Sequence, residues 1–141
     1  MAEATFYLLD THIWFWLVRG GEGRLASKVA MKLERASRSR PLGVSVISVW
    51  EIAMLVKKGR VDLGLPVRDW IQSALDHRGF ELIALNEKIA IESCELPGDF
   101  HADPVDRFLV ATARLTNAVL VTRDERVLRY ANSGHVRAMT G

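Results

Sequence analysis

The sequence predicts an α/β fold with a parallel sheet, on three observations. Short apolar runs alternate with stretches of helical periodicity, each run gives way within a few residues to a helix start, and an acid stands at most of those junctions. The expected architecture is a three-layer α/β/α sandwich with a parallel sheet of four to five strands and right-handed crossovers, in a single domain over residues 1–141.

Residues 6–9 (FYLL) are a short apolar run closed by Asp10-Thr11, which suits a buried strand followed by a helix cap. A short helix continues over 12–18, Gly20-Gly21 break it, and 23–38 read as a longer basic amphipathic helix ended by Pro41-Leu42-Gly43. The β-branched run at 44–47 predicts the second strand, and Ser48 opens a helix that stops at Gly59. Pro66 starts a helix to about residue 77. A third strand is expected over 80–85, a helix over 86–95, and a stop at Pro97-Gly98. Asp103-Pro104 begins a helix to about residue 116, followed by a fourth strand over 118–122. A short helix over 124–130 and a weak fifth strand over 136–139 complete the alternation.

Composition narrows the function classes. A hydrophobic content of 49% with 26% charged residues suits a soluble globular domain. The lone cysteine, Cys94, excludes an internal disulfide and agrees with a reducing, cytoplasmic setting; its helical pattern places it in core packing. The longest apolar run, 13–18, is far too short for a bilayer span, and the N-terminus lacks the basic flank of a signal peptide. Net charge is only +2, yet residues 19–40 hold seven basic side chains against Glu22 and Glu34, so a polyanion is steered there. Within that segment Arg24, Lys28, Lys32 and Arg35 form one helical stripe, a candidate polyanion contact whose alternative is a solvated face.

Chemistry is suggested by Asp10, Glu51, Asp103, Asp106 and Asp124. Parallel strands bring their carboxyl ends to one edge, so acids scattered along the chain converge there. Carboxylates gathered with no basic residue interleaved repel one another unless a hard, oxygen-seeking cation sits among them. Each acid also has a structural reading. Asp10 and Asp124 suit helix N-caps, Ser48-x-x-Glu51 is a capping-box pattern, and Asp103-Pro104-x-Asp106 is a cap, a first-turn proline and a dipole-favoured acid.

Four blocks, LLDTHIWFWL, SVWEIAMLVKKGRVDL, HADPVDRFLVATA and LVTRDERVLRY, resemble the PIN-domain ribonucleases of the VapC toxin type. They occur in the family's order, within matching stretches that span about residues 6–131. The resemblance implies Mg²⁺- or Mn²⁺-dependent endonucleolytic cleavage of RNA, a homodimer, and inhibition by a cognate antitoxin protein. The family's catalytic acids fall on Asp10, Glu51, Asp106 and Asp124, with Asp103 as an accessory acid. Asp10 and Asp106 are then the principal metal ligands, Glu51, Asp103 and Asp124 are further candidates, and the Thr11 and Thr122 hydroxyls are candidates to support the site from behind, with plain capping and strand-end hydrogen bonding as the alternative. The chain reads His101-Ala102-Asp103-Pro104 where similar sequences often read His-Arg-Asp-Pro, which removes one phosphate or salt-bridge contact.

Metal-activated water needs no histidine base. His12 and His101 are near enough to the motifs to contact substrate, although loop or cap roles suit both better, and His77 and His135 carry no motif. The competing readings are a PIN-like module that binds RNA or protein without cutting, and a phosphoaspartyl protein. The first is opposed by the full acid set. The second lacks the aspartate two residues after Asp10, where His12 stands, and the paired acids of a receiver. The run at 13–18 is apolar almost all round, so part of it needs cover from a dimer partner, an antitoxin segment or neighbouring helices of the same chain.

Overall fold

The computed structural model describes residues 4–20, 25–76, 79–100 and 103–141. Five strands, β1 (Tyr7–Leu9), β2 (Leu42–Ser45), β3 (Phe80–Ile83), β4 (Val119–Thr122) and β5 (Arg137–Thr140), form one wholly parallel sheet in the order β3-β2-β1-β4-β5. The helices are α1 (Thr11–Val18), α2 (Ser27–Ser37), α3 (Val46–Lys57), α4 (Val67–Asp76), α5 (Glu87–Cys94), α6 (Pro104–Thr116) and α7 (Glu125–Asn132). None is long and apolar enough to cross a membrane.

Strand alternation divides the core into two. Leu8 and Leu120 point to a face covered by α5, α6 and α7, whereas Leu9 and Val121 point to the face that carries α1, α2 and α4. α3 lends Ile52 to the second cluster and Ile47 to the first. The result is the expected three-layer sandwich. Gly43 lies in the buried strand β2 because a Cβ there would come within 2.7 Å of the Phe6 ring.

The strand order fixes where a site can form. From β1 the chain steps outward to β2 and β3, then returns to the other side of β1 for β4 and β5. The reversal leaves a crevice beyond the carboxyl ends of β1 and β4, the usual ligand position in open parallel sheets.

Several boundaries differ from expectation. The second strand ends at Ser45, and α3 begins at Val46. Ser45 caps it by accepting a hydrogen bond from the Ile47 amide at 3.1 Å, which converts the second half of the β-branched run into helix. Ser48 therefore opens nothing. It is buried inside α3, where its Oγ accepts from the Thr11 hydroxyl at 2.9 Å, and the Ser48–Glu51 capping box does not form. The third strand stops at Ile83, because Asn86 caps α5 through the Ile89 amide. Cys94 is exposed: α5 turns Ile89 and Ser93 inward, and the next residue faces outward.

The apolar helix α1 is largely covered by its own chain. Ile13 and Trp14 are buried, Trp14 meets Trp70 edge-on at 5.7 Å, and Phe15 lies 5.7 Å from the same ring. Arg123 sits over Trp16 at 5.2 Å, so the half-buried flank of the helix is screened by a guanidinium.

Candidate active site

The acids expected at separate helix starts line one cleft of about 250 Å³ at the β1–β4 crevice. Asp10, Glu51, Asp103, Asp106 and Asp124 all contribute to its wall, with His12, Trp16, Arg123 and Arg126 around them.

Asp10 is held from three sides. Its amide donates to Val121 O at 2.9 Å, Oδ1 accepts from the Thr11 amide at 2.6 Å, and Oδ2 accepts from the Thr122 hydroxyl at 2.7 Å. Thr122 Oγ1 also accepts from the Asp124 amide at 3.0 Å, so one buried hydroxyl ties the exits of β1 and β4 together. Asp103 caps α6 by accepting from the Asp106 amide at 3.1 Å, and Asp124 caps α7 through the Arg126 and Val127 amides at 2.8 and 3.4 Å.

Capping and clustering thus coexist. Asp10, Asp103 and Asp124 cap helices and face the cleft at once, so their structural reading holds without excluding another. Glu51 is different. It lies well inside α3, caps nothing, and projects from that helix into the shared cleft. Asp106 sits in the first turn of α6, favoured by the helix dipole, but is buried beside three other acids.

Electrostatics show what that arrangement costs. Burial pushes Asp106 up to about 8, and Asp103, Asp10 and Asp124 add to the rise against the opposing pull of Arg126. Burial likewise raises Asp10 despite its hydrogen bonds to Thr122 and Thr11. Glu51 is raised mainly by burial and further by Asp10 and Asp103, while Thr11 and His12 pull it down. Asp124 goes the other way: burial would raise it, but bonds from Arg126 and the Val127 amide hold it below the ordinary value.

The expectation of carboxylates without an interleaved base is corrected by Arg126. Its Nη2 lies 3.1 Å from Asp124 Oδ2 and 3.5 Å from Asp106 Oδ2. The signal was in TRDER, where a base two residues after a helix cap returns along the first turn toward the capping acid. Arg123, His12 and Trp16 also line the cleft, and His12 belongs to α1 rather than to a loop.

The donors suit a hard divalent cation: all are carboxylate oxygens, and Asp10 and Asp106 hold protons more tightly than usual, chiefly because burial disfavours their charged forms and further because other acids face them. As the structure stands, no three His, Cys, Asp or Glu side chains among the described residues are spaced to hold a metal ion. Arg126 instead supplies a partial counter-charge.

The basic stripe stands apart from the cleft. Lys28, Lys32 and Arg35 are exposed on α2 and none lines the acidic wall, while Arg24 lies outside the described residues. His77 and His101 also lie outside them.

The chain is similar to known proteins in sequence and in fold. The family model for the PIN domain matches residues 7–133. Ribonuclease VapC22 of Mycobacterium tuberculosis (strain ATCC 25618 / H37Rv) is 32% identical over 123 residues, 87% of this chain and 90% of that protein. Among solved structures, VapBC2 from Rickettsia felis bound to a DNA fragment from its promoter aligns with a TM-score of 0.72 at 17% identity, covering 96% of this chain and 98% of that one. DNA-bound VapBC from Salmonella typhimurium aligns with a TM-score of 0.67 at 14% identity, over 96% and 98% of the two chains. At such identities the likeness shows the shared fold.

Proposed function

We propose, from the premise that this chain belongs to the PIN-domain family and is homologous to the VapC toxins of toxin–antitoxin systems, that it is a metal-dependent endoribonuclease restrained by an antitoxin. The observation that carries the reading is the convergence of five carboxylates on one cleft, one of which, Glu51, has no capping role. Homology to a ribonuclease supports nuclease activity in general; the metal, the residue roles and the RNA substrate are what we add to it.

Asp10 and Asp106 are the residues that would hold Mg²⁺ or Mn²⁺, with Glu51, Asp103 and Asp124 on the surrounding wall. Such a cation supplies positive charge to the phosphodiester and acidifies water beside it. The protein's own part is positional. Thr122 holds the Asp10 carboxylate toward the cleft and fixes the Asp124 backbone beside it. Thr11 braces Ser48 in the helix that carries Glu51. Arg126, anchored on Asp124, sets a cation at the rim where an RNA phosphate enters.

The partner reading draws on the VapBC assemblies among the structures that share the fold, and on a toxin-antitoxin complex from Klebsiella pneumoniae. By the same logic this chain forms a homodimer and takes a cognate antitoxin, whose basic side chain competes for the acidic cleft.

The test is cleavage of RNA with Mg²⁺, with Mn²⁺ and with EDTA, using the wild type, Asp10→Asn and Asp106→Asn. Each variant keeps the shape of the side chain but loses a ligand charge, and activity should fall about a hundredfold or more. Metal-independent cleavage surviving in both variants would sink the mechanism. RNA binding with no cleavage by the wild type would favour a non-cutting module. Mapping cleavage ends in total RNA after brief induction identifies the substrate.

A further inference from the structure

A second cavity, of about 360 Å³, adjoins the acidic cleft and differs from it in chemistry. Arg126 lines both. Beyond Arg126, the wall continues along one face of α7 through Arg129, Tyr130 and Ser133, at the three- and four-residue spacing that aligns side chains on a helix. Phe100 and His135 close the other side.

The rings pack against one another, Tyr130 stacked on Phe100 and tilted against His135. Tyr130 lies 4.5 Å from Phe100 at 26° and 4.9 Å from His135 at 36°. Tyr130 is fixed by donating its hydroxyl hydrogen bond to Pro97 O, and Phe100 is buried, so this wall is rigid. Arg129 is exposed at the rim and has no ion-pair partner among the described residues. Asp99 also stands on the lining, so the cavity is mixed in charge, with both guanidiniums on the helix side.

Two other depressions among the described residues lack this combination. In the cavity around Glu92 and Arg114, the guanidinium is already engaged by Glu92 at 2.7 Å and by His135 O. The groove between α1 and α3 is mainly apolar, and nothing in the structure shows what covers it.

RNA alternates phosphates with flat bases, and unpaired bases are recognised by stacking on aromatic rings while cations track the backbone. A volume just above the lower limit of ordinary ligand pockets, about 300 Å³, suits one small unit rather than a folded partner. We propose that this cavity is the subsite for the nucleotide adjoining the scissile phosphate, with Arg129 meeting its phosphate and the half-buried His135, backed by Tyr130 and Phe100, receiving its base. The inference rests on the endoribonuclease reading and adds specificity to it: base choice beside the cut is set at His135 and Ser133, away from the acids.

Equilibrium binding of a fluorescein-labelled single-stranded RNA 12-mer in EDTA tests the subsite without turnover. Arg129→Gln and Ser133→Glu both change exposed positions and should each weaken binding about 3- to 10-fold, with Arg129→Gln lowering the salt slope by about 0.7. Arg68→Gln, an equal charge change on α4, is the control and should bind as the wild type does. In steady-state cleavage, the two variants should raise KM more than they lower kcat. His135→Ala, provided its thermal midpoint shows it folded, should alter the base preferred next to the cut. Wild-type binding and cleavage with Arg129→Gln and Ser133→Glu unchanged would overturn the subsite and leave the nuclease intact. A wild type that neither binds nor cuts RNA would overturn both.

Discussion

Asp106 concentrates the energetic tension of the molecule in one side chain. Its carboxyl is raised to about 8 from an ordinary value of 3.8, chiefly by burial and then by Asp103, Asp10 and Asp124. Between those limits the folded protein holds a proton that the unfolded chain has released, so this group stabilises the fold at low pH and loses that contribution as pH rises through about 8. Without added metal, the thermal midpoint should therefore decline from about pH 5 to about pH 8.5, and Asp106→Asn should flatten that decline. Stabilisation by Mg²⁺ should grow over the same interval, because the cation no longer competes with a proton. Melting curves at several pH values, with EDTA or Mg²⁺, check both statements; parallel pH profiles for the two proteins would show that Asp106 is not the group responsible. The five acids were legible in the sequence because each stands at a strand exit or an adjoining helix. Arg126 was legible only as a local partner of Asp124, since its guanidinium reaches Asp106 only once α6 and α7 are packed side by side.

Helices were easier to read than their starting points. α6 begins at Pro104 after Asp103, as expected, because a cap and a first-turn proline act within the local sequence. The β2–α3 junction was misplaced because Val44 to Ile47 has strand propensity throughout, while the transition is decided by the Ser45 cap and by the burial of Ser48 against Thr11. Cys94 was misassigned for a related reason: one residue's step on a helix is about 100°, enough to move a side chain from core to solvent. On α2, Leu33 is buried while Lys28, Lys32 and Arg35 face outward, as the amphipathic spacing requires. Replacing Lys28 and Lys32 with Gln should weaken RNA binding and flatten its dependence on salt by about 0.7 for each phosphate no longer neutralised. Binding isotherms at several salt concentrations measure that slope, and an unchanged slope would return the stripe to a solvated surface.

At the scale of the whole molecule, the parallel sheet accounts for the site: the strand order, more than any single motif, puts Asp10 beside Asp124. The sandwich followed from β–α alternation, but the cover of α1 did not, because Trp70 and Arg123 reach it from distant points in the chain. Trp50, Ile91 and Leu115 are exposed apolar side chains on α3, α5 and α6. The isolated chain should scatter light as a homodimer, and a cognate antitoxin should lower its affinity for Mn²⁺ in a calorimetric titration. A monodisperse monomer whose metal affinity the antitoxin leaves unaltered would count against both.

The hydrogen bond from Thr122 to Asp10 joins residues 112 positions apart, and β1 has β4 as one of its two neighbours in the sheet. During synthesis Asp10 precedes β4 and has no partner across the crevice until β4 and Asp124 have left the ribosome. At about 5–20 residues per second, that interval lasts several seconds or more. If the cleft cuts RNA as proposed, a nascent chain lacks one wall of it until β4 and Asp124 have emerged, and so cannot yet cut the message that encodes it. The same order of events gives a partner already present time to meet the early helices before the cleft is complete.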